Sequence, residues 1–192
     1  MTKTPAPLVI SNRVPEPRDH RRDAAILRRL VNGDPQALAD LYDVHAAGLF
    51  RHGLALTGSH ADAEDLVQTV FLKLATTGAP LLAVRNTSNY LHRILRAAWI
   101  DVRKRPAASL EQPADMAADC VTAGCPNVTE TAIDVSSAVA RLPAVQREIV
   151  ALHLREGFSF REAGRMTGVS MFTAASRYRA ALQQLRQIMG GR

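Results

Sequence analysis

Between Phe158 and Arg192 the chain carries Arg161, Arg165, Arg177, Arg179 and Arg186 against a single acid, Glu162. Guanidinium groups without acidic neighbours suit one class of partner above others. They neutralise phosphates and donate paired hydrogen bonds to base edges. The spacing of the surrounding residues says how they are held. Ser159 and Glu162 stand as in a capping box, where each side chain satisfies a backbone N–H left unpaired by the first helical turn, so a short helix starts near Phe160. Gly164 offers a small residue where a second helix can cross closely, Gly168 suits a left-handed helix stop, and Ser170 can cap the next helix. From Met171 to about Met189 there is no Pro or Gly, and Ala174, Tyr178, Ala181, Leu182, Leu185 and Ile188 recur at helical spacing. Thr173, Ser176, Arg177 and Ala180 fall on the other side, with Arg179 and Arg186 further round. This pattern predicts a helix-turn-helix whose second helix enters a major groove by its first turns.

A second pair of chemical surfaces lies earlier. In the helix from Ser59 to Leu74, the residues Ala63, Leu66, Val67, Val70, Phe71 and Leu74 form an apolar stripe, which leaves Asp62, Asp65, Gln68, Thr69 and Lys73 outside. The helix from Ser88 to Lys104 presents His92, Arg93, Arg96, Arg103 and Lys104. Acids near a helix N-terminus complement its dipole, and that is a competing reading for Asp62 and Glu64. Arg93 and Arg96 lie mid-helix with no acid three or four residues away. Beside Tyr90 and Trp99 they fit a nucleic-acid surface, where phosphates take the charge and aromatic rings stack on bases. Trp99 fits a helical core equally well.

The elements that must position these groups are helical throughout. Arg22 to Val31 reads as a short helix stopped by Asn32-Gly33, and Asp34-Pro35 starts the next with an N-cap carboxylate and a first-turn proline. Leu38, Leu41, Tyr42, His45 and Leu49 share one face of it, and Thr57-Gly58 ends it. Ser59 with Asp62 caps the acidic helix, and Thr87 or Ser88 caps the basic one. Helices resume near Ile133, break at Leu142-Pro143 and continue from Val145 to Arg155. No strand signal is present. The reading is an all-α chain of two small helical domains joined by a flexible linker, the C-terminal one a helix-turn-helix. Residues 1–22 form a disordered basic tail, 23–105 the first domain, 106–132 the Pro-containing linker, and 133–192 the second domain.

The net charge of +6 favours a polyanionic partner, and 47% hydrophobic residues suffice to bury two small cores. Apolar runs are too short to span a bilayer and the first twenty residues lack a signal-peptide core, so a cytoplasmic protein without membrane insertion is expected. Cys120 and Cys125 read as reduced surface thiols, with no histidine placed to complete a metal cluster. The six histidines form no triad, no HExxH and no paired metal motif, and no glycine-rich phosphate loop is present. His45, His52 and His153 read as packed or solvated. No enzyme, metal or cofactor is expected.

Together the two segments resemble a bacterial RNA polymerase sigma factor of the extracytoplasmic-function (ECF) group. The helix from Asp62 to Leu74 is similar to the family's region-two helix that binds the polymerase, and Tyr90 to Arg105 resembles its promoter-contacting helix. Leu142-Pro143, Gln146-Arg147, Gly157 to Glu162, Gly168 to Ser170, Thr173 and Ser176-Arg177 resemble region four. By that resemblance Asp62, Asp65, Gln68, Phe71 and Lys73 would meet core RNA polymerase. Arg93, Arg96, Arg103, Lys104 and Arg105 would face the minus 10 promoter DNA, while Arg161, Arg165, Thr173, Ser176, Arg177 and Arg179 would face the minus 35 duplex. An anti-sigma factor is a further candidate partner. Periodicity alone also allows Phe71 in the core. Tyr90, Ala97, Phe172 and Ala174 depart from the family's common residues, so promoter preference does not transfer, and Phe172 is expected to pack beneath the turn rather than touch a thymine methyl. The rival reading is a stand-alone helix-turn-helix regulator that binds an operator without polymerase.

Overall fold

The computed structural model of the protein describes residues 20–104 and 137–190, and within them every regular element is helical. The expectations for the N-terminal tail, Arg105, the 106–132 segment and Cys120/Cys125 lie outside the described residues.

Helix α1 (His20–Val31) begins two residues before its sequence signal. Its Arg29 bridges to Asp34 at 2.8 Å and to Asp40 at 2.7 Å, tying α1 to the start of α2 (Pro35–Thr57). Asp34 caps α2 by accepting from the Gln36 N–H, and the Arg29 guanidinium, with that N–H, holds its carboxyl below the ordinary range. Ser59 caps α3 (His60–Thr77) by accepting from Asp62 N–H. A short 3-10 turn, Ala79–Ala83, leads to α4 (Thr87–Lys104). Neither Thr87 nor Ser88 caps α4. Both are buried, and Asn86 Oδ1 accepts from the Asn89 N–H at 2.8 Å instead. The stripe foreseen on α3 is buried, and it packs with Leu41, Leu49 and Phe50 of α2 and Leu91, Leu95 and Ala98 of α4 into one core.

The described part of the second domain opens on helical residues 137–140, and the helix breaks at Leu142-Pro143. Helix α5 (Ala144–Val150) then widens into a π turn over Ala151–Arg155. Helices α6 (Phe160–Thr167) and α7 (Met171–Gly190) are the helix-turn-helix. Ile149, Leu152, Phe158, Ala163, Met166 and Ala174 form its core, and Leu142, Val150 and Ala181 form a second cluster beside it. The capping box is complete, with Ser159 N–H donating to Glu162 Oε2 and Glu162 N–H to Ser159 Oγ. Gly168 ends α6 at φ +71°, a left-handed conformation that costs glycine nothing.

Gly164 is what sets the tightness of the turn. A Cβ there would stand 2.8 Å from the Val169 carbonyl oxygen and 3.3 Å from Ser170 backbone atoms, so the turn rests on the bare α6 backbone. Because backbone rather than a flexible side-chain tip would have to yield, Gly164→Ala is expected to destabilise the second domain by about 1–3 kcal/mol. Thermal unfolding followed by circular dichroism measures this, and an unchanged transition would show that the turn can move aside.

Candidate nucleic-acid interface

The first turn of α7 projects from the second domain. Ser170 Oγ accepts from Thr173 N–H at 3.0 Å and lies 2.8 Å from Thr173 Oγ1, which caps the helix and settles the threonine. Thr173, Ser176 and Arg179 are exposed, Arg177 is half-buried, and Arg161 and Arg165 lie exposed on α6. Phe172 does not pack beneath the turn as expected: it is 77% exposed, because Ala174 and Ala181 take the buried positions of α7. An aromatic cluster unforeseen in the sequence holds the helix at this angle. His153 stacks on Phe160 with centroids 4.0 Å apart, and Tyr178 meets both rings. His153 Nδ1 lies 2.7 Å from the Phe158 carbonyl, so this nitrogen carries the proton.

On the first domain, α3 exposes Asp62, Asp65, Gln68 and Lys73. Phe71 is not on that surface. It is 6% exposed and its ring lies 4.9 Å from that of Tyr42, so the apolar stripe has claimed it for the core. Leu72 is the residue sequence reasoning missed. At 69% exposure it continues the outward line of Asp65, Gln68 and Thr69, and the signal was available, since Leu72 falls outside the buried period.

Helix α4 divides its basic residues between two environments. Arg93, Arg103 and Lys104 are exposed, with the Arg103 guanidinium 5.1 Å from the centroid of Trp99, itself half-buried against the core. His92 and Arg96, expected to face outward, do not. His92 is 3% exposed, and Arg96 Nε donates to Glu148 of the second domain at 2.8 Å. Near the start of α4, an open cavity of about 370 Å³ is lined by Pro80, Arg85, Asn86, Asn89, Tyr90 and Arg93 among others. It combines an aromatic face, amides and two cations, a set suited to a nucleotide. Among the described residues no group of three or more His, Cys, Asp or Glu could hold a metal ion, and no helix is long and apolar enough to cross a membrane.

A helix-turn-helix domain joined in one chain to a helical domain with separate acidic and basic faces defines a two-domain helical transcription factor. The Sigma-70 region 2 family model matches residues 41–108, and the Sigma-70 region 4 model matches residues 133–185. The ECF RNA polymerase sigma factor SigM of Mycobacterium tuberculosis is 31% identical over 177 residues, covering 90% of this chain and 87% of that protein. SigE of Mycolicibacterium smegmatis, also an ECF sigma factor, is 31% identical over 91% of this chain and 70% of its own length. The sigma factor RpoE of Bartonella quintana, solved in complex with the anti-sigma factor NepR, superposes with a TM-score of 0.57 at 26% identity, over 79% of this chain and 95% of that one. The chain belongs to the ECF family of RNA polymerase sigma factors, proteins that direct the polymerase to promoters and start transcription there. The stand-alone regulator is not favoured, because region 2 is present beside the helix-turn-helix.

The different placements of neighbouring residues on α3 give a measurable contrast. Phe71→Ala is expected to cost about 3–5 kcal/mol of stability as a core truncation. Leu72→Ala should stay within about 0.5 kcal/mol of the parent, as surface changes do. Urea denaturation distinguishes the two, and equal losses would refute the assignment of Phe71 to the core.

Proposed function

We propose that the outward face of α3, with Asp62, Asp65, Gln68, Leu72 and Lys73, docks on core RNA polymerase, and that promoter DNA is read at two separate places. The basic face of α4, with Arg93, Arg103, Lys104 and the adjoining Arg105, holds the separated strand at the minus 10 element, Tyr90 offering a stacking face at the adjoining cavity. The second domain reads the minus 35 duplex through Arg161, Arg165, Thr173, Ser176, Arg177 and Arg179. The observation that carries this reading is the exposed first turn of α7, which projects from the helix-turn-helix in a stretch with no acid after Glu162. Phe172, exposed there, supplies the apolar surface that suits a thymine methyl.

The action is assembly rather than catalysis, carried out by domains spanning about 23–105 and 133–192. Neither DNA contact has to be strong alone, because both are tethered to one enzyme and each raises the effective concentration of the other. The place of action is the cytoplasm, where polymerase and chromosome are. The relative of known structure seated on an anti-sigma factor supports a protein inhibitor of that class as a further partner.

Asp65→Lys is expected to weaken holoenzyme assembly by about tenfold or more, since a like charge set against the partner's surface repels it. Native gel shift with core polymerase reads this directly. Arg177→Ala should cost about 1–3 kcal/mol of upstream binding and thin the minus 35 footprint of the holoenzyme. Intact assembly in the first variant together with an intact footprint in the second would sink the assignment. For Phe172, replacing single thymines of the minus 35 duplex by deoxyuridine should weaken the parent protein at one position and leave Phe172→Ala indifferent. A parent indifferent at every position removes the methyl contact.

A further inference from the structure

Helix α1 carries more positive charge than its own stability explains. It holds Arg21, Arg22, Arg28 and Arg29 beside a single acid, Asp23. That acid is turned inward, 4% exposed, with its Oδ2 3.2 Å from His45 Nε2 of α2. Ile26 and Leu27 enter the first domain's core. All four arginines stay outside. Arg29 is accounted for by its bridges to Asp34 and Asp40. His20, Arg21 and Arg22 stand in the first turn, where positive charge opposes the helix dipole, and the carboxylate that would offset them there is engaged by His45. A helix that was merely solvated would gain nothing from cations at this end.

Their arrangement suits an extended anion. Arg21, Ala25 and Arg28 recur at the four- and three-residue spacing that keeps side chains on one line of a helix, away from the buried Asp23, Ile26 and Leu27. Arg21 and Arg28 are two turns apart, about 10 Å along the axis. Ala25 between them is exposed and small, so a polymer can lie close against the helix there. Each cation of this row is an arginine, whose planar fork donates paired hydrogen bonds to phosphate.

The neighbours of α1 identify the polymer. The helix packs on the 3-10 turn Ala79–Ala83 and also touches α4. Leu81 of that turn is 1% exposed and shares a core with Ile26 and Leu27, while Pro80 and Ala83 on either side of it line the cavity beside Tyr90 and Arg93. One short turn therefore separates the cavity from the arginine helix. We propose that α1 is a further rail for the separated promoter strand, with Arg21, Arg22 and Arg28 holding phosphates of the nucleotides next to the one seated at the cavity and leaving their bases unread. This rests on the cavity and the basic face of α4 being the strand's surface. Contacts to phosphate alone are indifferent to sequence and sensitive to salt.

The test uses holoenzyme, the full chain with core polymerase, on a fork DNA taken from a promoter that the holoenzyme transcribes, with its minus 10 element single-stranded. Arg21→Gln/Arg28→Gln should bind the fork about tenfold more weakly, and the slope of log affinity against log salt should shrink by about 0.7 for each arginine, as for single-strand phosphates. Arg21→Lys/Arg28→Lys keeps the charge and should keep the parent's slope. Methylphosphonates remove one phosphate charge at a time, and at positions beside the cavity nucleotide they should weaken the parent but not the glutamine variant. Assembly with core polymerase, read by native gel, should be equal for all three proteins. An unchanged slope in the glutamine variant, or methylphosphonate losses at the same positions in parent and variant, overturns the proposal. A lysine variant that loses the slope too overturns it in favour of a structural role, and weaker assembly does so in favour of an acidic face of polymerase. Tyr90→Ala/Arg93→Gln keeps the underlying reading separate. If this variant weakens the fork complex and Arg21→Gln/Arg28→Gln does not, only the role of α1 falls; if neither does, the strand surface on α4 falls with it.

Discussion

A carboxylate at 2% exposure must find its solvation inside the protein, and among the described residues Glu148 finds it in the other domain. Removing a carboxylate from water costs several kcal/mol unless charge and hydrogen-bond donors replace the lost hydration. Arg96 supplies the charge and His52 the second donor, so one side chain of α5 depends on α2 and α4 together. The dependence is mutual. Arg96 is 22% exposed along its side chain and His52 is fully enclosed, so each is matched to Glu148 rather than to bulk solvent. Such a pair adds little net stability compared with an apolar seam, but it penalises any arrangement that leaves one partner buried alone.

Helix α5 carries this logic in its own sequence. Ile149, Leu152 and Val150 bind it into the cores of the helix-turn-helix domain, while Glu148, Arg147 and, past the π turn, Glu156 reach the other way. The apolar side is permanent, because no solvent can replace those contacts at comparable free energy. The polar side is exchangeable. One short helix thus belongs to its own domain by hydrophobic burial and to its neighbour by electrostatics, and the two kinds of contact differ in how readily they can be undone.

The features legible in the sequence are those whose partners lie within a helical turn. The Asp34-Pro35 start, the Ser59 cap, the Ser159/Glu162 box and the Gly168 stop are chemistry between residues at most five apart, and the stripe on α3 is a period repeated until it is unmistakable. The α4 cap shows how narrow that legibility is: three polar residues in a row could serve, and burial of Thr87 and Ser88 selects Asn86. Arg96 shows the other limit. Its i±3 and i±4 neighbours hold no acid, yet its partner stands 52 residues away, where periodicity says nothing. Phe71, which the apolar period placed in the core and the resemblance placed at polymerase, and Phe172, expected beneath the turn, are decided by one rule. An aromatic is core or contact according to which face the neighbouring helices cover, and Tyr42 covers the first while Ala174 leaves the second outside.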